Sequence, residues 1–216
     1  MTIEIVYMFL YFSLFYGIDE LLTHCRFEGV YYAVHALHNA MITATTAQEV
    51  WLTLTDFPAA QLSATNTFAI QICFALHIYH IAKYYKKFRL DDWLHHGLMI
   101  GIALPVGTML SGGTLLGYSL FFTTGLPGGI DYTLLFLTRN NWISRTIEKR
   151  INSELNVWIR SPGCVSLAAF VCVSNSMSNN TTIEKFGAAA TALLNYWNGQ
   201  YFMRQVVMNA ITEGRG

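Results

Sequence analysis

The sequence predicts an all-α integral membrane protein, a helical bundle that crosses a bilayer about seven times. Three observations predict it. The 216 residues are 53% hydrophobic and only 12% charged, with a mean hydropathy of +0.36, whereas a soluble domain carries about a quarter charged residues. The apolar residues fall in long runs, and in lipid each segment must satisfy its own backbone, which selects helices of about 20 residues. The basic residues divide very unequally between the two sets of loops that these runs define. Net charge is zero, which gives nucleic acid no electrostatic reason to bind.

The expected spans are 3–22, 29–52, 66–87, 93–110, 113–138, 164–178 and 186–210, all in one domain covering residues 1–216. The first has no basic region before it and no small-residue cleavage site after it, so it reads as a retained span, not a signal peptide. The fifth contains Gly125-Leu126-Pro127-Gly128-Gly129, which is expected to break or kink a helix. An unwound stretch at that depth would need protein or a cavity to cover it. The sixth is short and ends in Ser174, Asn175 and Ser176. The stretch before it, 139–162, mixes Glu148, Lys149, Arg150 and Glu154 and is expected as a separate interfacial helix. Cys25, Cys73, Cys164 and Cys172 form no CxxC pair, so no disulfide framework is expected.

Charge tests the number of spans. With seven, one side of the membrane receives Arg26 after the first span and Lys83, Lys86, Lys87 and Arg89 after the third. The same side receives Arg139, Arg145, Lys149, Arg150 and Arg160 after the fifth, then Arg204 and Arg215 at the C-terminal end. That is 12 of the 13 basic residues, and the other side holds Lys185. The positive-inside rule then places the N-terminus outside and the C-terminus on the cytosolic or matrix side. Endoplasmic reticulum and mitochondrial inner membrane both fit. The sequons at Asn179 and Asn180 fall outside, close against the membrane.

Six of the seven histidines lie in or at the mouth of a span, and ionisable groups at that depth mark interior sites. On the second span Tyr31, His35, His38, Ile42, Thr45 and Glu49 follow the spacing of one helical face. On the third, His77, His80 and Tyr84 share a face with Asn66. His95 and His96 are adjacent on the fourth, so only one can aim straight at the interior. A shared polar cavity is the expectation, with a packing role for each histidine as the plain alternative. Histidine can serve as a general base or nucleophile in acyl transfer. Asp91 and Asp92 stand close enough to orient the pair or to cap the helix. Metal or bis-histidine haem is a further alternative, but membrane di-iron enzymes need HxxHH boxes, which the chain lacks; no metal site or certain cofactor is expected.

The stretch Leu90-Asp91-Asp92-Trp93-Leu94-His95-His96 resembles the paired-histidine motif of the TLC domain, the membrane fold of ceramide synthases, TRAM and CLN8-like proteins. His35 or His38 resembles the histidine of that family's early helix. Tyr79 to Phe88 sits where the family has its loop before the paired histidines. Leu194-Asn195-Tyr196-Trp197 is similar to its LQxxW-like ending. The resemblance spans about 25–210, with the span 3–22 preceding it. It implies a TLC-like barrel and a lipid pocket lined by His35, His38, Thr45, His77, His80, Tyr84, Asp131 and Asn195. In ceramide synthases the activity is acyl-CoA-dependent acyl transfer, which would fall to His95, His96 and Asp92. Lys83, Lys86, Lys87 and Arg89 would attract headgroup or acyl-CoA phosphates, or simply set topology. One departure matters: the family's following helix carries acidic residues, whereas Thr123 to Pro127 has none and Asp131 is the nearest. The expected partners are membrane lipids, and a non-catalytic subunit of a larger membrane complex stands as the alternative to an enzyme.

Overall fold

The computed structural model describes residues 2–105, 114–178 and 181–213; the side chains of Thr2, Ile3, Asp91, His95, Ala103 and Glu213 lie outside that description. The expectations for Asp91 and His95 as side chains, for the sequon residues Asn179 and Asn180, and for Arg215 therefore fall outside it. The described residues form helices and no strand. They are α1 (Thr2–His24), α2 (Val30–Thr55), the short α3 (Phe57–Leu62), α4 (Thr67–Tyr84) with a 3-10 turn at Tyr85–Lys87, and α5 (Leu90–Leu98) with a wide turn at Met99–Ala103. The long rods α6 (Leu115–Arg139) and α7 (Arg145–Met177) follow, and then α8 (Thr182–Glu213). Among the described residues, three stretches are long and apolar enough to cross a membrane: Glu4–His24, Leu115–Arg139 and Arg145–Met177.

Two expectations are corrected. The Gly125–Gly129 stretch does not break its helix, although the turn leading into it is distorted, and 139–162 holds no separate interfacial helix, because Arg145 to Met177 runs as one helix. One device explains both. A proline lacks an N–H and pushes on the carbonyl four residues back. Here the turn before each proline is opened to π geometry, at Phe121–Gly125 before Pro127 and at Asn156–Arg160 before Pro162. The amides of Leu126 and Ser161 reach back five residues, to the carbonyls of Phe121 and Asn156. Met99–Ala103 stands in the same relation to Pro105. The opened turn moves the crowded carbonyl aside, so the helix continues through the proline.

The helices pack around α2, which touches α1, α3, α4 and α6. One apolar cluster joins Phe15, Val34, Ile42, Ile72 and Tyr79 from α1, α2 and α4. A second joins Val50, Leu115, Tyr118, Leu167, Val171 and Ala192, chiefly from α6, α7 and α8. In the second, backbones come very close: a β-carbon on Gly163 would lie 2.1 Å from the ring of Phe122, and one on Gly199 would lie 2.7 Å from Cys164 Cβ. Small residues at such crossings are how helices associate where no hydrophobic drive exists between them.

The distribution of polarity is inverted relative to a soluble bundle. Buried positions include His35, His38, Asn39, Glu49, His77, His80, Glu148, Asn152 and Asn156, while Ile5, Phe9, Trp51, Leu94, Trp158, Phe186 and Leu193 face out. Contiguous exposed apolar surface on this scale fits an apolar surrounding.

Candidate histidine pocket

Four imidazoles meet where α2, α4 and α5 converge. His35 stacks on His80 with ring centroids 4.3 Å apart, and Tyr132 of α6 stacks on the other side at 4.4 Å. Tyr31 lies over His80 at 4.9 Å. His96 meets His77 edge-on at 5.2 Å and His80 at 5.4 Å, and Phe88 stacks on it at 4.7 Å. The helical spacing read from the sequence is what turns these rings to one place. Of these histidine pairs His35 and His80 stack face to face, while His96 meets its two neighbours edge-on. No group of three His, Cys, Asp or Glu side chains among the described residues is placed to hold a metal ion.

Backbone carbonyls fix two tautomers. His35 Nδ1 lies 2.8 Å from the Tyr31 carbonyl, and His77 Nδ1 lies 2.7 Å from that of Cys73. A carbonyl only accepts, so both Nδ1 atoms carry the proton and Nε2 is the acceptor nitrogen of each ring. His38 Nδ1 likewise meets Asn39 Oδ1 at 2.7 Å, and its buried Nε2 has no partner, nor has that of His80. His38 and His80 therefore each hold a buried ring nitrogen that a hydroxyl, amide or amine could engage.

The structure brings together His35, His77, His80, His96 and, through Tyr31 at 5.7 Å, Tyr84. His38 lies beside this group, edge-on to Phe15 at 6.0 Å. Asp92 accepts the backbone N–H of Arg89 at 2.9 Å, which is the capping role at the start of α5. Thr45 bonds its own helix at the Met41 carbonyl, and its carbonyl accepts from Asn66, the N-cap of α4. Asn66 also donates to Glu49 at 3.2 Å, so the buried Glu49 belongs to a polar contact at the α2–α4 loop. Asp131 sits in the electrostatic field of Arg160 on α7. Asn195 takes a hydrogen bond from Ser119 at 3.0 Å, between α6 and α8. Of the four basic residues read as headgroup contacts, Lys83 is engaged with Asp19 at 3.1 Å and with Glu20. Lys86, Lys87 and Arg89 are exposed at the α4–α5 turn.

Sequence reasoning missed Asp19. Only 1% exposed, it accepts hydrogen bonds from Tyr79 and Tyr84 and pairs with Lys83, so it anchors α1 to the wall of the pocket. An acidic residue near the end of an apolar span was the signal available. Asn39, Tyr132 and Arg160 were missed as well. Beside the pocket, a groove of about 420 Å³ runs between α2 and α6, lined by Ala36, Ala40, Ala44, Gly129, Ile130 and Thr133 among others.

Compared with protein-family models, with curated proteins and with solved structures, the chain matches none.

Proposed function

We propose that this is a seven-span, TLC-like membrane protein whose interior binds a lipid at the histidine cluster. The observation that carries the reading is the buried group of His35, His77, His80 and His96 from three helices, in which His80 Nε2, like that of His38 beside the group, has no hydrogen-bond partner. Such groups are costly away from water unless a ligand or neighbour satisfies them. The adjoining apolar groove offers an acyl chain a path along α2 and α6.

Side-chain ties support the topology. Glu28 and Asn140 exchange hydrogen bonds at 3.1 and 2.9 Å, joining the turns after the first and fifth spans. Asp19 and Lys83 join the ends of the first and third. Toward the opposite end, Thr53 meets Thr114 at 2.6 Å and Phe57 stacks on Phe170 at 5.0 Å. Turns that must share a side under the charge rule thus lie together. The N-terminus is outside in this reading, the C-terminus on the cytosolic or matrix side, in the endoplasmic reticulum or the mitochondrial inner membrane.

One observation favours acyl transfer as a second reading. The fixed Nδ1–H tautomers leave Nε2 as a base, as acylation of an amine or hydroxyl by acyl-CoA requires. Yet the described partners of His35 and His77 are carbonyls, not the carboxylate that would stabilise a charged imidazole, so binding without chemistry is the primary reading. The deciding experiment extracts lipid from the protein purified in mild detergent and identifies it by mass spectrometry. Wild type should retain a defined lipid, and His80→Ala should lose it while eluting normally. Absence of any retained lipid from wild type would overturn the pocket. Acyl-CoA turnover by wild type, abolished in His96→Ala, would move the assignment to the enzyme.

A further inference from the structure

We propose that Asn39, Asp131 and Arg160 form a second intramembrane site, which takes a zwitterion carrying a phosphate and a primary ammonium, as in an ethanolamine phospholipid headgroup. This rests on the membrane reading of the bundle but on no chemistry at the histidines. Three helices supply the site: Asn39 from α2, Asp131 from α6 and Arg160 from the opened turn of α7. Each has a buried polar atom without a partner, namely Asn39 Nδ2, Asp131 Oδ1 and Arg160 Nε. Asn39 is 1% exposed, and its Oδ1 is already taken by His38 and Thr124 at 2.7 and 2.9 Å. Its free amide is thus turned the other way, toward Gly128. A β-carbon on Gly128 would lie 2.7 Å from Asn39 Nδ2 and 3.7 Å from Arg160 Nη2, so the lack of a side chain there lets both donors converge on this turn of α6.

Arg160 is held from below by Asn156 Oδ1 at 3.1 Å, which orients the guanidinium without neutralising it. Asp131 and Arg160 lie within each other's field, yet among the described ion pairs they form none. Asn39 Nδ2 and Arg160 Nε are thus unmet donors and Asp131 Oδ1 an unmet acceptor, and the three present matched polarity to a ligand that enters between their helices. An anion alone would satisfy Asn39 and Arg160 and be repelled by Asp131. A cation alone would meet the reverse. A zwitterion satisfies all three. Asp131 stands eight residues before Arg139, about 12 Å along the helix from its basic end, a depth that a headgroup reaches from the cytosolic or matrix face.

The test reconstitutes the full-length protein in nanodiscs with equal parts of dioleoyl phosphatidylethanolamine, phosphatidic acid and phosphatidylcholine, then quantifies the lipid retained after detergent extraction. Wild type should retain the ethanolamine lipid about tenfold over phosphatidic acid, the worth of one charged hydrogen bond. Asp131→Asn should erase that preference while keeping phosphate binding, and Arg160→Gln should lose both lipids. Because Arg160→Gln can fail for lack of folding, Gly128→Ala, which leaves both charges in place, is expected to weaken retention with an unchanged elution profile. His80→Ala should leave the ethanolamine preference intact, which separates this site from the histidine reading. Equal retention of the two lipids by wild type, or an unaltered preference in Asp131→Asn, would overturn the site and leave the three residues as a helix-linking network. Displacement of the retained lipid by an equal concentration of free phosphoethanolamine would overturn the lipid source and assign the site to the soluble compound.

Discussion

The two halves of the bundle are held together by different means. Around the histidine pocket, α1, α2, α4 and α5 are joined by side chains with directional demands: stacked imidazoles and tyrosines, and a buried Asp19 that engages Tyr79, Tyr84 and Lys83. Among α6, α7 and α8 a few hydrogen bonds also cross, Tyr118 to Ser166, Ser119 to Asn195 and Gln200 to Ser161, but the tightest joints are made by absent side chains. Gly163 admits the ring of Phe122, Gly199 admits Cys164, and opened turns carry prolines through the rods. The first half is specified chiefly by what its residues bond, the second more by how closely its backbones approach. A substitution that conserves charge and polarity should therefore be felt differently in each.

That contrast can be broken at four places, from the largest expected effect to the smallest. Asp19→Ala leaves two tyrosine hydroxyls without their acceptor and Lys83 with Glu20 alone, and should cost about 3 kcal/mol, seen as a lowered Tm in detergent. Gly163→Ala should cost about 2 kcal/mol in the same assay, because the Phe122 ring cannot swing away as a flexible chain would. Gly117→Ala is the sharpening control. The three atoms nearest its β-carbon would be those of the Glu49 carboxylate, the far end of a flexible side chain, so the expected loss is nearer 1 kcal/mol. Equal losses at Gly163 and Gly117 would argue against packing as the organising principle of the second half. Smallest is Thr181→Ala at the start of α8. The Thr181 amide and hydroxyl hold the Glu184 carboxyl below its ordinary range. A lowered carboxylate stabilises above its unfolded pKa and loses that contribution as pH falls through the folded value. The variant should thus raise the Glu184 titration midpoint, measurable by carboxyl NMR, with little change in Tm.

The first half was the more legible in sequence, for a physical reason. Polar residues spaced three and four apart within an apolar run must share a face, and His35, His38, His77 and His80 did turn inward as that spacing requires. What spacing along one helix cannot state is which partner waits on another. Asp131 was placed with the histidines, yet it lies in the field of Arg160, while its neighbour Tyr132 is the residue that stacks on His35. The second half misled through composition. Arg145, Arg150 and Glu154 are exposed, as a surface helix would have them, but Glu148, Asn152 and Asn156 on the other face are buried within the bundle. Proline and glycine were read as breakers because the rule holds for regular α-turns, and the chain departs from regular turns at those very places.

The opened turns carry a consequence for evolution and engineering of this chain. Each inserts one residue beyond what an α-helix needs, so everything after it is rotated by about 100° relative to everything before. Phe121–Gly125 works as a phase shifter: it sets the azimuth at which Gly128 meets Asn39 of α2. Deleting any one residue there would leave composition and hydropathy almost unchanged, yet would swing that face toward the lipid. In this protein the length of those five-residue segments is under as much constraint as the identity of the residues they aim.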